Sequence, residues 1–385
     1  MNMIKKLLSL IIAILFFSLS AFAEEEPVKI NFLYINGANN NTPNMEKWFF
    51  DGINKAHPKM KKAMDNSPFV REKLLKNGQY EIKAKPMTFF WGDKTLEDLE
   101  TVTDELKVTS LFSPFLAQIV RSFFAHCMHD AIWVQKDHNM QLIVREMHSE
   151  IKKIHENGEK VVLFGYSAGS FVTYGYLFYK LPAIQWDDLA TKLNLSQREK
   201  EFINVKKSKP TCIDALITSE LAIYSTSGEM IANPSFEDFK KAYSKLDEYS
   251  QDVCIPENTV LGTVNYASPL VLFYSDLRDP MLEINSFNKD FFIYMKNNDM
   301  FWLTVNFADD PLGYPLMKNL NSEEIESMHN IKFDKNGRGF YYDKSNVKSP
   351  ATFLGAHTSY WNCAKKFSKA VAEAYEEGYR CFYND

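Results

Sequence analysis

Between Asp137 and Gly169 the chain sets a helix, a strand and a tight turn end to end, and this run limits the possible folds more than any other feature. Met140, Ile143, Val144, Met147, Ile151 and Ile154 recur at three- and four-residue steps, which predicts an amphipathic helix. Asp137 can cap its start and Asn157-Gly158 can stop it. Lys160-Val161-Val162-Leu163-Phe164 follows at once as a short strand with no polar face, and a second apolar helix is expected from Gly169 to near Pro182. A strand apolar on both faces and flanked by helices belongs in a parallel sheet covered on both sides. Further strands are read at Val28 to Ile35, closed by Asn36-Gly37, and within Lys83 to Trp91, closed by Gly92-Asp93. Val260 to Tyr266 and Phe301 to Phe307 are two more, and a last helix begins near Trp361 with Ala364, Phe367, Val371 and Ala374 on one face. The expected fold class is α/β, a mostly parallel central sheet with helices on both faces. Residues 94–136 and 183–257 read as helical insertions, the second forming a cap, because the strand pattern resumes after it.

Gly165-Tyr166-Ser167-Ala168-Gly169 matches the pattern G-x-S-x-G. Its setting, after a buried strand and before an apolar helix, is the one in which a sharp turn lifts a serine hydroxyl above the sheet edge. The two glycines allow strand and helix to approach closely. The backbone N–H of Ala168, at the helix start, would point at a developing oxyanion.

A serine hydroxyl attacks well only when a histidine takes its proton. Where such a turn carries the nucleophile, the partners follow in the chain order serine, acid, histidine. Six of the eight histidines precede Ser167, which leaves His329 and His357. His329 sits in the polar stretch Glu326-Ser327-Met328-His329-Asn330 and reads as a solvated surface residue. His357 lies in a loop before the last helix, where it can swing over the sheet, and is preferred. The acid is expected just after the strand 301–307, in Asp309-Asp310-Pro311-Leu312-Gly313-Tyr314-Pro315. Asp310 is preferred because the proline after it favours an extended backbone, with Asp309 as the alternative acid and Asp276 and Asp279 as weaker rivals.

In these motifs the chain resembles the bacterial α/β-hydrolases of the lipase and esterase type. The likeness covers residues 28–377 in order: GYSAG, the strand end NYASPL, the acid loop DDPLGYP and the histidine loop GAHTSYW. The resemblance implies the α/β-hydrolase fold with a helical cap and a catalytic triad of Ser167, Asp310 and His357. It also implies that Asn36-Gly37-Ala38 stands where the family has His-Gly-x, so that Ala38 or Gly37 supplies the second backbone N–H of the oxyanion hole beside that of Ala168. Asn36 replaces the family's usual histidine, and the long region 94–136 departs from a minimal member.

The start of the chain reads as a secretory signal over residues 1–23, leaving residues 24–385 as one hydrolase domain. Lys5 and Lys6 precede the apolar run Leu7 to Phe17, and Ala21-Phe22-Ala23 offers a small-x-small cleavage site. The 17-residue span from Leu7 to Ala23 falls short of the roughly 20 residues that cross a bilayer. An exported, periplasmic or extracellular location is therefore expected, with no transmembrane segment after cleavage. Without Lys5 and Lys6 the chain carries 42 basic against 49 acidic residues, a net charge of -7, which gives no footprint for nucleic acid. Export permits disulfides. Of Cys127, Cys212, Cys254, Cys363 and Cys381, the preferred pair is Cys212 with Cys254. Cys363 and Cys381 stand about 27 Å apart if one helix joins them, too far to pair. The apolar stretch 111–124 reads as core, with a lid over the site as the alternative. His126 and His129 beside Asp130 read as a surface helix rather than a metal site, and Lys206-Lys207-Ser208-Lys209 as a solvated charge run.

The expected activity is hydrolysis of carboxylic esters, of a small molecule or a lipid, without cofactor or metal. Acyl transfer or peptide hydrolysis by the same residues, and a silent fold used as a binding module, are the alternatives.

Overall fold

Among the described residues seven strands build the sheet: β1 (Val28–Ile35), β2 (Tyr80–Ile82), β3 (Met87–Phe89), β4 (Lys160–Tyr166), β5 (Val260–Tyr266), β6 (Phe301–Phe307) and β7 (Phe340–Val347). The structure is a computed structural model that describes residues 26–38, 43–95, 129–134, 137–178, 258–273, 289–349, 351 and 354–384. The strand order is β2-β1-β4-β5-β6-β7, with β3 also on β1, and each of these pairings is parallel. β2 and β3 share one edge of β1, the first beside residues 28–30 and the second beside residues 33–35. The chain is thus α/β with a parallel sheet.

Helices cover both faces. α1 (Pro43–Asn66) and the last helix lie on one side; α2 (Asp137–Glu156) and α3 (Gly169–Phe178) lie on the other. β5 and β6 are buried at every residue, as strands covered on both faces must be. Met140, Ile143, Val144, Met147, Ile151 and Ile154 all face the core from α2. α4 (Lys289–Asn297) precedes β6, and α5 (Ser322–His329) lies between β6 and β7. The last helix, α6 (Ala364–Tyr383), packs on β6, β7 and α1, its Phe367 and Tyr375 meeting Tyr266 and Phe301 at ring distances of 4.7 and 5.1 Å.

Several elements are additional to those read from the sequence, among them α1, α4, α5, β2 and β7. α1 buries Phe49, Ile53, Ala56, Met60 and Met64, and its His57 is fixed between the Tyr34 hydroxyl and the Lys83 carbonyl. The strand expected within residues 83–91 is only Met87–Phe89, preceded by β2, and β4 runs two residues past Phe164. Asp130, expected on a surface helix, is fully buried. Cys363 and Cys381 are unpaired. Residues 1–23, His126, the stretch 111–124, the cap 183–257, Lys206 to Lys209, Cys127, Cys212, Cys254, Asp276 and Asp279 lie outside the described residues. Among the described residues no helix is long and apolar enough to cross a membrane.

From β1 the chain goes first to one edge, as β2 and β3, and then crosses to the opposite side of β1 as β4. Adjacent parallel strands whose connections leave in opposite directions open a crevice at their C-terminal ends, where α/β proteins bind ligands. Here those ends are Asn36-Gly37 after β1 and Ser167 after β4.

Candidate active site

Ser167 occupies the turn between β4 and α3 with φ of +51°, a left-handed conformation that a residue with a Cβ adopts only under constraint. The turn is held from both sides. The Ser167 N–H donates to the Tyr266 carbonyl at 2.9 Å, and the Ser167 carbonyl accepts from the Ser170 N–H and the Ser170 hydroxyl. The two glycines have distinct reasons to lack a side chain. A Cβ on Gly165 would fall 2.5 Å from Asn265 Oδ1 and Thr173 Oγ1, between β4 and its neighbours. A Cβ on Gly169 would fall 2.6 Å from the carbonyl oxygens of Ile35 and Asn36, where the start of α3 rests on β1.

His357 ends a short helix, residues 354–357, and reaches back over the sheet. Its Nε2 lies 3.1 Å from Ser167 Oγ, and its Nδ1 lies 2.9 and 3.2 Å from the two carboxylate oxygens of Asp310. With a carboxylate facing Nδ1, the proton belongs on Nδ1, which leaves Nε2 to accept the serine proton. The Tyr166 hydroxyl donates to the His357 carbonyl at 3.0 Å, so the residue before the serine also fixes the histidine.

Asp310 is brought in by the loop after β6. Its carboxylate is fully shielded from solvent and accepts the Leu312 N–H at 2.9 Å and the Tyr360 hydroxyl at 2.8 Å in addition to His357. Tyr360 itself accepts the Phe307 N–H and stacks on the Phe307 ring at 4.1 Å. Burial first, and then the Asp310 charge, push the Tyr360 hydroxyl well above its ordinary pKa, so it serves as a donor. Three donors converge on one buried carboxylate, which is how a buried charge is made tolerable.

The other sequence candidates lie elsewhere. Asp309 is exposed while its neighbour is buried. His329, expected in solvent, is instead buried at the end of α5 against Phe292, with ring centroids 5.5 Å apart. Its polar sequence neighbours belong to the outer face of α5, which is why the local composition misled. Among the described residues no three His, Cys, Asp or Glu side chains, His129 and Asp130 included, are placed to hold a metal ion. Tyr360, three residues after His357, is the contributor that sequence reading passed over; its place in GAHTSYW was the available signal.

Ala168 and Asn36-Gly37-Ala38 border the serine. Ala168 stands immediately before α3, so its N–H points out of the start of the helix, among the donors that find no acceptor within it. A Cβ on Gly37 would fall 2.8 Å from Ser167 Cβ, so the turn after β1 runs directly against the serine.

Behind the acid loop stands Asp343 on β7. It accepts the Leu316 N–H at 2.8 Å and the Ser345 hydroxyl, while Asn306 donates to Ser345 and to the Tyr314 carbonyl. Burial raises the Asp343 carboxyl to about 7, against the lowering effect of those hydrogen bonds. A carboxyl with a raised folded-state pKa binds its proton more tightly in the folded chain. Its contribution to stability is therefore complete below about pH 4 and is lost as pH rises through about 7. Asp343→Asn removes this titration, so the melting temperature of wild type minus that of the variant should fall between pH 5 and pH 8. A flat difference across that range would contradict the assignment.

No known protein family matches the chain, and neither does any curated protein or solved structure. The functional reading rests on the geometry.

Proposed function

We propose that the chain is a serine hydrolase of the α/β-hydrolase type that cleaves carboxylic esters. The observation that carries this reading is the buried line of hydrogen bonds from Asp310 through His357 to Ser167, with the serine on a left-handed turn. A merely structural serine needs neither an imidazole aimed at its hydroxyl nor a strained backbone to present it. The order of the residues along the chain supports the same reading, with serine after β4, acid after β6 and histidine after β7.

In the mechanism this implies, Ser167 Oγ attacks the ester carbonyl while His357 Nε2 takes its proton. Asp310 keeps the other ring proton on Nδ1 and stabilises the imidazolium. The oxyanion lies against the Ala168 N–H and a second backbone N–H from Gly37 or Ala38. His357 then hands its proton to the departing alcohol oxygen, which leaves an acyl-Ser167. Water, deprotonated by His357, attacks the acyl carbonyl, and the proton returns to Ser167 as the acid departs. The N-terminal segment, with its basic start, apolar run and Ala21-Phe22-Ala23, supports export as the setting for this activity.

A panel of p-nitrophenyl esters from acetate to palmitate, run beside peptide p-nitroanilides and beside Ser167→Ala, tests the reading. Ester turnover that vanishes in the variant is expected, and the preferred chain length then defines the acyl group. Cleavage of peptides alone would overturn it. Tyr360→Phe should lower kcat about tenfold and destabilise the chain by about 2 kcal/mol, because it strips one donor from a buried carboxylate. Urea unfolding and initial rates measure the two effects separately.

A further inference from the structure

The turn after β1 is held by a side chain that the reaction does not use. Asn36 is fully buried, and each polar atom of its amide is engaged: Oδ1 accepts the Trp91 N–H at 2.8 Å, and Nδ2 donates to the Gly37 carbonyl at 3.0 Å. The Asn36 carbonyl is engaged separately, accepting the Trp91 indole N–H at 2.7 Å. Two successive peptide planes are thereby pinned by two different donors. In a trans peptide the C=O and the following N–H point in opposite directions. The indole, by fixing the Asn36 carbonyl, sets the direction of the Gly37 N–H. The Asn36 amide, by fixing the Gly37 carbonyl, sets the direction of the Ala38 N–H. The Asn36 carbonyl faces the indole and the start of α3, where a Cβ on Gly169 would meet it at 2.6 Å. The Gly37 N–H is therefore turned away from the start of α3, which leaves the Ala38 N–H as the candidate donor of this turn.

We propose that Asn36 is a positioning residue: its side-chain amide holds the Gly37–Ala38 peptide so that the Ala38 N–H, rather than that of Gly37, completes the oxyanion hole. The inference rests on the reading of Ser167 as nucleophile. It also accounts for an asparagine where the resembled family places histidine, since the site needs an acceptor for the Trp91 N–H and a donor for the Gly37 carbonyl on one short side chain.

The test compares Asn36→Asp and Trp91→Phe with wild type, using p-nitrophenyl acetate and inactivation by a fluorophosphonate. An ionised carboxylate keeps the acceptor for Trp91 but cannot donate to the Gly37 carbonyl, so the peptide plane is released. Asn36→Asp should lose about 10²-fold in kcat, the effect of one oxyanion donor, with KM within about threefold. A protonated carboxyl can still donate, so the ratio of variant to wild-type kcat should fall as pH rises from about 5 to about 8. A purely structural role would leave that ratio flat. Trp91→Phe releases only the other plane and should lose less than tenfold. Should the buried carboxylate prevent folding, Asn36→Ser, which is too short to make both bonds, should show the same kcat loss without the pH dependence. The inference is overturned if Asn36→Asp and Asn36→Ser keep kcat, or if Trp91→Phe loses more than they do, while wild-type turnover still requires Ser167. Turnover that survives in Ser167→Ala would overturn the reading of the nucleophile and this inference with it.

Discussion

Asp310→Asn is expected to lower kcat by about 10⁴-fold while leaving the fold in place. The expectation follows from what each atom at the site can donate or accept. His357 Nδ1 faces the carboxylate at 2.9 Å and carries the proton that the carboxylate accepts. An asparagine there would present either an oxygen or an NH₂ group. The Leu312 N–H and the Tyr360 hydroxyl already donate to the two oxygens and compete for the single acceptor that remains. With NH₂ toward the ring, Nδ1 becomes the acceptor and the ring proton moves to Nε2. An Nε2–H opposite Ser167 Oγ cannot take the serine proton. The geometry survives and the chemistry stops. Steady-state rates on a p-nitrophenyl ester measure the loss, and a circular dichroism spectrum superimposable on that of wild type shows that the fold is kept. A loss under tenfold would mean that the acid does not set the tautomer.

Gly169→Ala should destabilise the chain by about 3 kcal/mol, at the upper end of what overpacking a core costs. Its Cβ would fall 2.6 Å from two carbonyl oxygens, those of Ile35 and Asn36, and both belong to backbone already committed to β1 and its turn. A flexible side chain could swing aside, but these atoms move only if α3 lifts from the sheet. The substitution should also depress turnover in whatever protein still folds, since Ala168, whose N–H borders the serine, is the residue next to Gly169. Gly355→Ala is the matched control. Its Cβ would lie 3.4 Å from Ala351 Cβ, ordinary contact, and its unfolding free energy should stay within about 0.5 kcal/mol of wild type. Urea unfolding of the two variants decides whether close approach at the first turn of α3 matters as argued.

How far the chain could be read beforehand depended on whether a segment's role lies in its own residues. β5 and β6 are apolar because both faces are covered, so their limits were visible as runs of Val, Leu, Phe and Trp. β7 was not, because Phe340–Val347 carries Asp343, Lys344 and Ser345, which pin the acid loop and pair with α6 instead of filling a core. α1 has a regular apolar face, but it begins beside a polar run of asparagines and contains Pro58, both ordinarily signs of a loop. The three residues now seen hydrogen-bonded in line, Ser167, His357 and Asp310, were each recognisable from local context. The groups that hold them were not. Tyr360 reaches Asp310 only because the loop after β6 and the segment before α6 meet, and Asn36 reaches Trp91 across 55 residues of chain. Such bonds are made by tertiary approach and leave no periodicity or spacing to read. His329 shows the converse, a polar neighbourhood around a side chain that the fold turns inward.

The account stands on an activated Ser167, and the most direct measurement is the intact mass of the protein after exposure to a fluorophosphonate, with Ser167→Ala treated in parallel. One adduct on wild type, mapped to the peptide that contains Ser167, and none on the variant is the predicted result. An unmodified wild type, or an adduct on both proteins, would contradict it.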